Sequence, residues 1–342
     1  MGAKAAWWCA LLVLLPALCG AATSVDRAEL VPVDDARLFL HERGADREAP
    51  VLLWLHGGPG AAERPLFRYY DAGLEKHFVV AYWDQRGAGR SFDPDADPGR
   101  LTIARHLADL DVVVDHLRQD FGRERIVLIG HSWGGALALL YAAAHSEKLA
   151  AVAVVAPLVA TRAAEDAEYA FVAAEANRRA DIDALAKLAA IRTPPLHSAA
   201  ETLALEGLSD AYGGVFHRRP HRLWVALRGI LGGLVTPWEV PRLIRANDVS
   251  LAAMHAELAG LDLRCAVATV RTPVIFLLGR HDRHADATLA ASYFAELAAP
   301  TKRLVWFEHS AHNPPFEEPE LFQAVVVREL ETFAVDRRPS SR

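Results

Sequence analysis

The chain has 342 residues, 52% of them hydrophobic and 23% charged, and a formal net charge of −6. These values exclude an intrinsically disordered chain and allow a sizeable core. Acidic and basic residues are interleaved along the whole length, which excludes the basic face that nucleic-acid binding requires.

The first 22 residues stand apart. Lys4 is followed by an almost wholly apolar run, Ala5–Leu18, and then by Gly20, Ala21 and Ala22. This is the layout of a secretory signal peptide cleaved after Ala21 or Ala22, so export to the periplasm or medium is expected, with no stable membrane insertion afterwards. The alternative is an uncleaved anchor, for which the run is short. Lipidation at Cys19 is disfavoured by Leu18, where a small residue is wanted. Of the three cysteines, only Cys265 would remain after cleavage. It can form no internal disulfide and is read as a small core residue.

Beyond the leader, Leu30–Val33 and Arg37–Glu42 flank Asp34-Asp35-Ala36 and predict a hairpin at a sheet edge. Six apolar runs follow: Val51–Leu55, Phe78–Trp83, Arg125–Ile129, Ala151–Ala156, Pro273–Leu278 and Arg303–Phe307. Runs that are apolar throughout suit strands covered on both faces. Helical patterns lie between them at Thr102–Phe121, with Thr102 as N-cap, and at Trp133–Ala144, Ala287–Leu297 and Pro319–Phe333. The alternation predicts an α/β fold with a mostly parallel, doubly wound sheet. It stops at residues 158–269, which read as an inserted helical cap. The core is then split into residues 23–157 and 270–335, and 336–342 form a polar tail.

Gly130-His131-Ser132-Trp133-Gly134 joins a predicted strand to a predicted helix. That context makes Ser132 a candidate nucleophile on a sharp elbow, and the backbone N–H of Trp133 a candidate oxyanion donor. A serine hydroxyl needs a base, and in this chain order the acid comes next and the histidine last. Asp282 follows the strand Pro273–Leu278, and His312 follows Arg303–Phe307. Asp286 and His309 are the respective competitors. The second oxyanion donor is sought in His56-Gly57-Gly58-Pro59-Gly60, with Gly58 favoured and Gly57 behind it. His281, Asp282, His284 and Asp286 also suggest a metal site, but with no helix to gather them on one face the expectation is that no metal or cofactor is used.

Three motifs together resemble the proline iminopeptidase (prolyl aminopeptidase) family of α/β hydrolases, peptidase family S33. They are His56-Gly57-Gly58-Pro59-Gly60, Asp84-Gln85-Arg86-Gly87-Ala88-Gly89-Arg90-Ser91 and Gly130-His131-Ser132-Trp133-Gly134-Gly135. The resemblance runs from about Leu30 to Phe333. It implies a Ser132–His312–Asp282 triad, oxyanion donors at Gly58 and Trp133, and release of an N-terminal residue, often proline, from a small peptide. It also implies that cap carboxylates hold the free amine. This cap offers Glu165, Asp166, Glu168, Glu175, Glu201, Glu206, Glu239 and Glu257, none matched to the family by motif. His131 is a departure, since these peptidases more often have glycine before the serine. A carboxylesterase or lactonase acting on small esters is the alternative, because the same triad serves both. Asp84, Arg86 and Arg90 are expected to lock a loop beside the site. The ring of Trp133 is expected at the cap interface, and Trp224 and Trp238 inside the cap or lining the pocket.

Overall fold

The computed structural model describes residues 23–217, 225, 227–228 and 235–334. The leader, Trp224 and residues 336–342 lie outside the described residues. Among those described, no helix is long and apolar enough to cross a membrane.

Eight strands form one sheet: β1 (Val25–Val33), β2 (Ala36–Gly44), β3 (Val51–Leu55), β4 (Val79–Trp83), β5 (Ile126–His131), β6 (Leu149–Val155), β7 (Val274–Gly279) and β8 (Lys302–Phe307), in the order β1-β2-β4-β3-β5-β6-β7-β8. The expected hairpin is present as β1 and β2, antiparallel to each other, and β2 is antiparallel to β4. The remaining pairs are parallel.

The apolar strands of the centre feed two cores. Leu53, Leu55, Ala81, Trp83, Leu128 and Val154 face one way. Leu52, Trp54, Val80, Tyr82, Ile129 and Val155 face the other. This is the two-sided burial that non-alternating strands require. β8 departs from it. As the last strand of the sheet it is largely half-buried, with only Phe307 fully covered, because it has a neighbour on one side only.

Helix α1 (Arg64–Tyr70) follows β3, and α2 (Ile103–Asp120) precedes β5. Thr102 caps α2 as expected, its hydroxyl accepting from the Arg105 N–H at 3.1 Å. Leu110, Val113, Val114 and Leu117 form the buried stripe of that helix. Helix α3 (Trp133–Ala144) is buried on most sides beneath the sheet's centre.

Between β6 and β7 the chain leaves the sheet to build the cap, which includes α4 (Thr161–Arg179), α5 (Ile182–Ala190), α6 (Ala199–Ala211) and α7 (Val240–Ala259). Val172, Ala176, Leu188 and Leu205 give it a small core of its own. The short α8 (Leu263–Ala266) leads back. It buries Leu263 and turns Cys265 to the surface, so Cys265 is not the core residue that was expected. Trp238 is likewise neither packed nor pocket-lining: it is 78% exposed, just ahead of α7. After β7 come α9 (Ala287–Glu296), then β8, α10 (Pro314–Glu317) and α11 (Pro319–Ala334).

Candidate active site

Strand order decides which loops meet. β3 and β5 are neighbours with Leu55 opposite Gly130, so the loop after β3 lies against the turn after β5. β7 and β8 are neighbours with Gly279 opposite Phe307, so the loops carrying Asp282 and His312 lie together. All four loops leave the carboxyl ends of parallel strands, where ligand sites of open α/β sheets form.

Ser132 sits at the tip of the turn with φ 53° and ψ −117°, a left-handed conformation that costs a non-glycine residue about 1–3 kcal/mol. Its N–H is tied to the Val155 carbonyl at 2.9 Å. The flanking glycines are sterically required. A β-carbon on Gly130 would strike the Gly134 carbonyl, and one on Gly134 would strike the backbone at Leu55 and His56. Ser132 thereby becomes the N-cap of α3 and puts the partial positive charge of that helix end beside its hydroxyl.

Asp282 and His312 are buried and joined, His312 Nδ1 donating to Asp282 Oδ2 at 2.9 Å. The other oxygen of Asp282 accepts from the N–H groups of His284 (2.9 Å) and Ala285 (3.1 Å). Burial alone would raise the carboxyl's pKa, but His312 and these donors outweigh it and hold it below the usual carboxylate range. Burial depresses the pKa of His312 despite the opposing pull of Asp282, so its imidazole is neutral near pH 7. Ser132 and His312 line the same cavity. No hydrogen bond joins the serine hydroxyl to the imidazole among the described residues.

The competitors lie elsewhere. Asp286 caps α9, accepting from the Leu289 N–H at 2.8 Å. His309 is exposed, with its N–H on Glu318. The four residues considered for a metal point to separate partners: His281 stacks on His217, His284 meets Glu168, Asp282 holds His312 and Asp286 caps a helix.

Gly58 is exposed to the cavity beside Ser132, with φ 107°. Behind it lies a framework that the sequence did not announce. Gln85 donates to the His56 carbonyl (2.8 Å), accepts from the indole N–H of Trp133 (3.0 Å), and its own N–H reaches His56 Nε2 (3.0 Å). The Trp133 ring is therefore buried in the core, edge-on to His106, rather than at the cap interface. The 84–91 loop is locked by charge. Asp84 accepts from Arg64 (3.1 Å) and the Arg90 N–H (2.9 Å), and Arg86 forks onto Asp109 (2.6 and 2.9 Å). The guanidinium of Arg90 plays no part in that lock and reaches Glu239 of the cap at 3.4 Å.

A family model described as the alpha/beta hydrolase fold matches residues 50–319. The chain belongs to that family. Among curated proteins it is similar to "Probable aminopeptidase YbaC" of Bacillus subtilis (strain 168), at 28% identity over 299 residues, covering 86% of this chain and 93% of that protein. It is also similar to a proline iminopeptidase of Saccharolobus solfataricus, at 40% identity over 108 residues, about a third of either chain (31% and 32%). Among solved structures it matches the Mycobacterium smegmatis proline iminopeptidase with TM-score 0.69 and 22% identity, over 90% of this chain and 99% of the other. It also matches a 2-hydroxy-6-oxo-6-phenylhexa-2,4-dienoate hydrolase of Rhodococcus (TM-score 0.62, 20% identity, 90% and 99% covered), a likeness of fold. The protein is a hydrolase.

In this α/β hydrolase the cap closes over Ser132 and leaves two compartments. A small one of about 90 Å³ is bounded by Gly58, Ser132, Glu165, Glu168, Leu196 and His284. A larger one of about 660 Å³ opens outward past Glu206, Phe216, Ile244 and Phe316. The eight cap carboxylates thus divide. Glu165, Glu168 and Glu206 face the cavities. Asp166 and Glu175 pair with neighbouring arginines on α4. Glu201 accepts from the His197 N–H, Glu239 from Thr236 and Glu257 from the Ile103 N–H. Glu168 is fully buried, and burial raises its pKa against the pull of His284. The His284 imidazole, 3.0 Å from Glu168, is in turn pushed up to about 10: burial opposes the charge, and Glu168 overrides it.

Proposed function

We propose that this hydrolase is a serine aminopeptidase of proline iminopeptidase type, acting on small peptides after export. The carrying observation is the carboxylate trio Glu165, Glu168 and Glu206, which lines the cavities at Ser132 together with Asp248 of the cap. A free α-ammonium is the charge such a trio attracts, and the relatives' names agree with it.

The geometry supports the following mechanism. His312 Nε2 takes the Ser132 hydroxyl proton as Oγ attacks the carbonyl carbon of the first residue. The oxyanion is met by the N–H groups of Gly58 and Trp133. The intermediate collapses as His312 returns the proton to the leaving amine, which departs through the larger compartment. The first residue stays as an ester on Ser132. Water, deprotonated by His312, then releases it as the free amino acid and restores the serine. Asp282 keeps His312 in the tautomer that presents a lone pair to Ser132. No step calls for a metal or cofactor.

One observation favours the second reading, a carboxylesterase or lactonase for small esters. His284 already supplies Glu168 with a cation, which lowers the trio's net demand for an ammonium. Proline and alanine anilides, offered beside short-chain nitrophenyl esters, separate the two. The proposal expects anilide turnover that is lost in Ser132→Ala. Ester turnover with none on any anilide would replace the peptidase by an esterase. Export is tested by the mature N-terminus, expected at Ala22 or Thr23. An intact Met1 on membrane-bound protein would contradict it.

A further inference from the structure

The triad chemistry makes no use of His131, the residue before the serine. Its ring is buried, and both nitrogens are engaged. Nδ1 lies 3.1 Å from each oxygen of Glu63, and Nε2 lies 2.9 Å from the backbone carbonyl of His312. Glu63 in turn accepts the N–H of Gly57 at 2.9 Å. Three loops that must be mutually aligned therefore converge on one pair. They are the oxyanion loop through Gly57, the serine elbow through His131 itself, and the loop of the general base through His312.

The partners fix the charge state of the ring. A carbonyl oxygen only accepts, so Nε2 carries a proton. With Glu63 ionised, its two oxygens at Nδ1 also only accept, so Nδ1 carries one as well. His56, on the neighbouring strand end, is the internal contrast. Its Nδ1 faces the Gly57 carbonyl (2.8 Å), but its Nε2 accepts the Gln85 N–H (3.0 Å), which makes it neutral. Among the described residues, the charged or titratable groups that bear most on His131 are Glu63 ahead of α1, Asp282 after β7 and His312 after β8, with neutral His56 after β3 beside them, while Glu206, Asp248 and His284 line the same cavity. The rest of its wall is aromatic, with Phe67 and Phe316 edge-on. The net field at the ring favours a cation.

We propose that His131 and Glu63 are positioning residues, a buried imidazolium–carboxylate strut that holds the oxyanion loop, the serine elbow and the histidine loop in register for acyl transfer. The proposal rests on the roles given above to Ser132 and His312 but not on the identity of the substrate. Burial opposes both charges. The mutual attraction outweighs it, raising the pKa of His131 and lowering that of Glu63. Without Glu63 the imidazolium would lose its anion and shed its proton within the working pH range, releasing one of its two hydrogen bonds.

Two measurements test the strut. The first is ring ¹⁵N NMR of the histidine-labelled protein, with Ser132→Ala in parallel and His131→Gln for assignment. The expected result is that both His131 nitrogens are protonated from pH 6 to 8. A neutral His131 at pH 7 overturns the proposal, and this reading needs no variant of Glu63 to fold. The second is the rate of inactivation by a fluorophosphonate, which requires only the nucleophile, base and oxyanion hole. Glu63→Gln is expected to slow it by about 10- to 100-fold, the scale of a small misplacement of reacting groups. It is also expected to shift the alkaline limb of the rate to lower pH and to spare the KM for nitrophenyl acetate. His131→Gln/Glu63→Gln together should lose no more than either alone, because the two act as one unit. A Glu63→Gln enzyme with the wild-type rate and pH profile, or losses that multiply, would refute the coupling. Continued labelling of Ser132→Ala would instead refute the assignment of the nucleophile.

Discussion

Replacing Asp282 by asparagine is the most informative single change in the site, because the surrounding donors dictate which way the new amide must point. Oδ1 of Asp282 accepts from the backbone N–H groups of His284 and Ala285, and Oδ2 accepts from His312 Nδ1. An amide can satisfy the two backbone donors only with its oxygen in the first position. Its NH₂ then faces His312, which can accept only by moving its proton to Nε2. That tautomer has no lone pair for the Ser132 proton. The variant should therefore keep its fold and its substrate affinity but lose kcat by about 10³- to 10⁴-fold, the scale known for a wrongly protonated triad histidine, or roughly 4–5 kcal/mol of transition-state stabilisation. The assay is kcat and KM on the best anilide or ester, with circular dichroism to confirm folding. Asp286→Asn is the control. It keeps an N-cap capable of accepting from Leu289 and should leave kcat within a few-fold. A folded Asp282→Asn enzyme within tenfold of wild type would refute the assigned acid.

Further expectations follow from the same geometry. Burial lowers the pKa of His312 below the ordinary histidine value of 6.5, and in the proposed mechanism the neutral form is the base. The acid limb of kcat/KM should therefore fall below pH 6.5, and a limb above 7 would contradict that assignment. Glu168→Gln should raise KM for amino-acid anilides at least tenfold while leaving neutral nitrophenyl esters within about threefold, since only the former carry an ammonium to lose. Equal effects on both would argue for a purely structural Glu168. Asp71 is fully buried, neither of its oxygens is bonded among the described residues, and burial raises its pKa well above the usual carboxylate value. The native state therefore binds a proton that the unfolded chain has released above its own pKa, and the stability contributed is lost as pH rises. Asp71→Asn should accordingly raise Tm at pH 7, by a margin that shrinks toward pH 4. A lower Tm at pH 7 would show a missing partner for the acid. Thr102→Ala should cost about 0.5–2 kcal/mol through the loss of the α2 cap, measured by denaturant unfolding, with activity unchanged.

Much of the fold was readable because parallel strands buried on two faces leave runs such as Val51–Leu55 that turn residues punctuate cleanly. The elbow was readable for a steric reason. Gly130 and Gly134 flank Ser132 because their hydrogens touch backbone, so the spacing itself records the geometry. Asp282 could be placed in the loop after β7 but not told from Asp286 by spacing. The distinction lies in which carboxylate meets His312 across 30 residues and which caps α9.

The cap was the illegible part. Glu168 looks in sequence like Asp166 or Glu175, two acids on the same helix that merely pair with local arginines. What sets it apart is His284, 116 residues away. Glu63 was missed for a similar reason. It is 68 residues from His131, and His131 lies 181 residues from the carbonyl it supports. The signal was the histidine before Ser132, whose buried ring had to find hydrogen-bond partners. Trp238 was misjudged because a tryptophan in an apolar helical context is usually covered, whereas this one precedes α7 on the outside of the cap.

The central claim is that Ser132 carries the acyl group. Stopped turnover in the presence of a fluorophosphonate, followed by peptide mass mapping, tests it most directly. The account predicts one phosphonyl adduct, on the peptide containing Gly130-His131-Ser132-Trp133-Gly134, with activity lost in proportion to labelling and neither labelling nor turnover in Ser132→Ala. An adduct on another residue, or turnover that survives in Ser132→Ala, would contradict it.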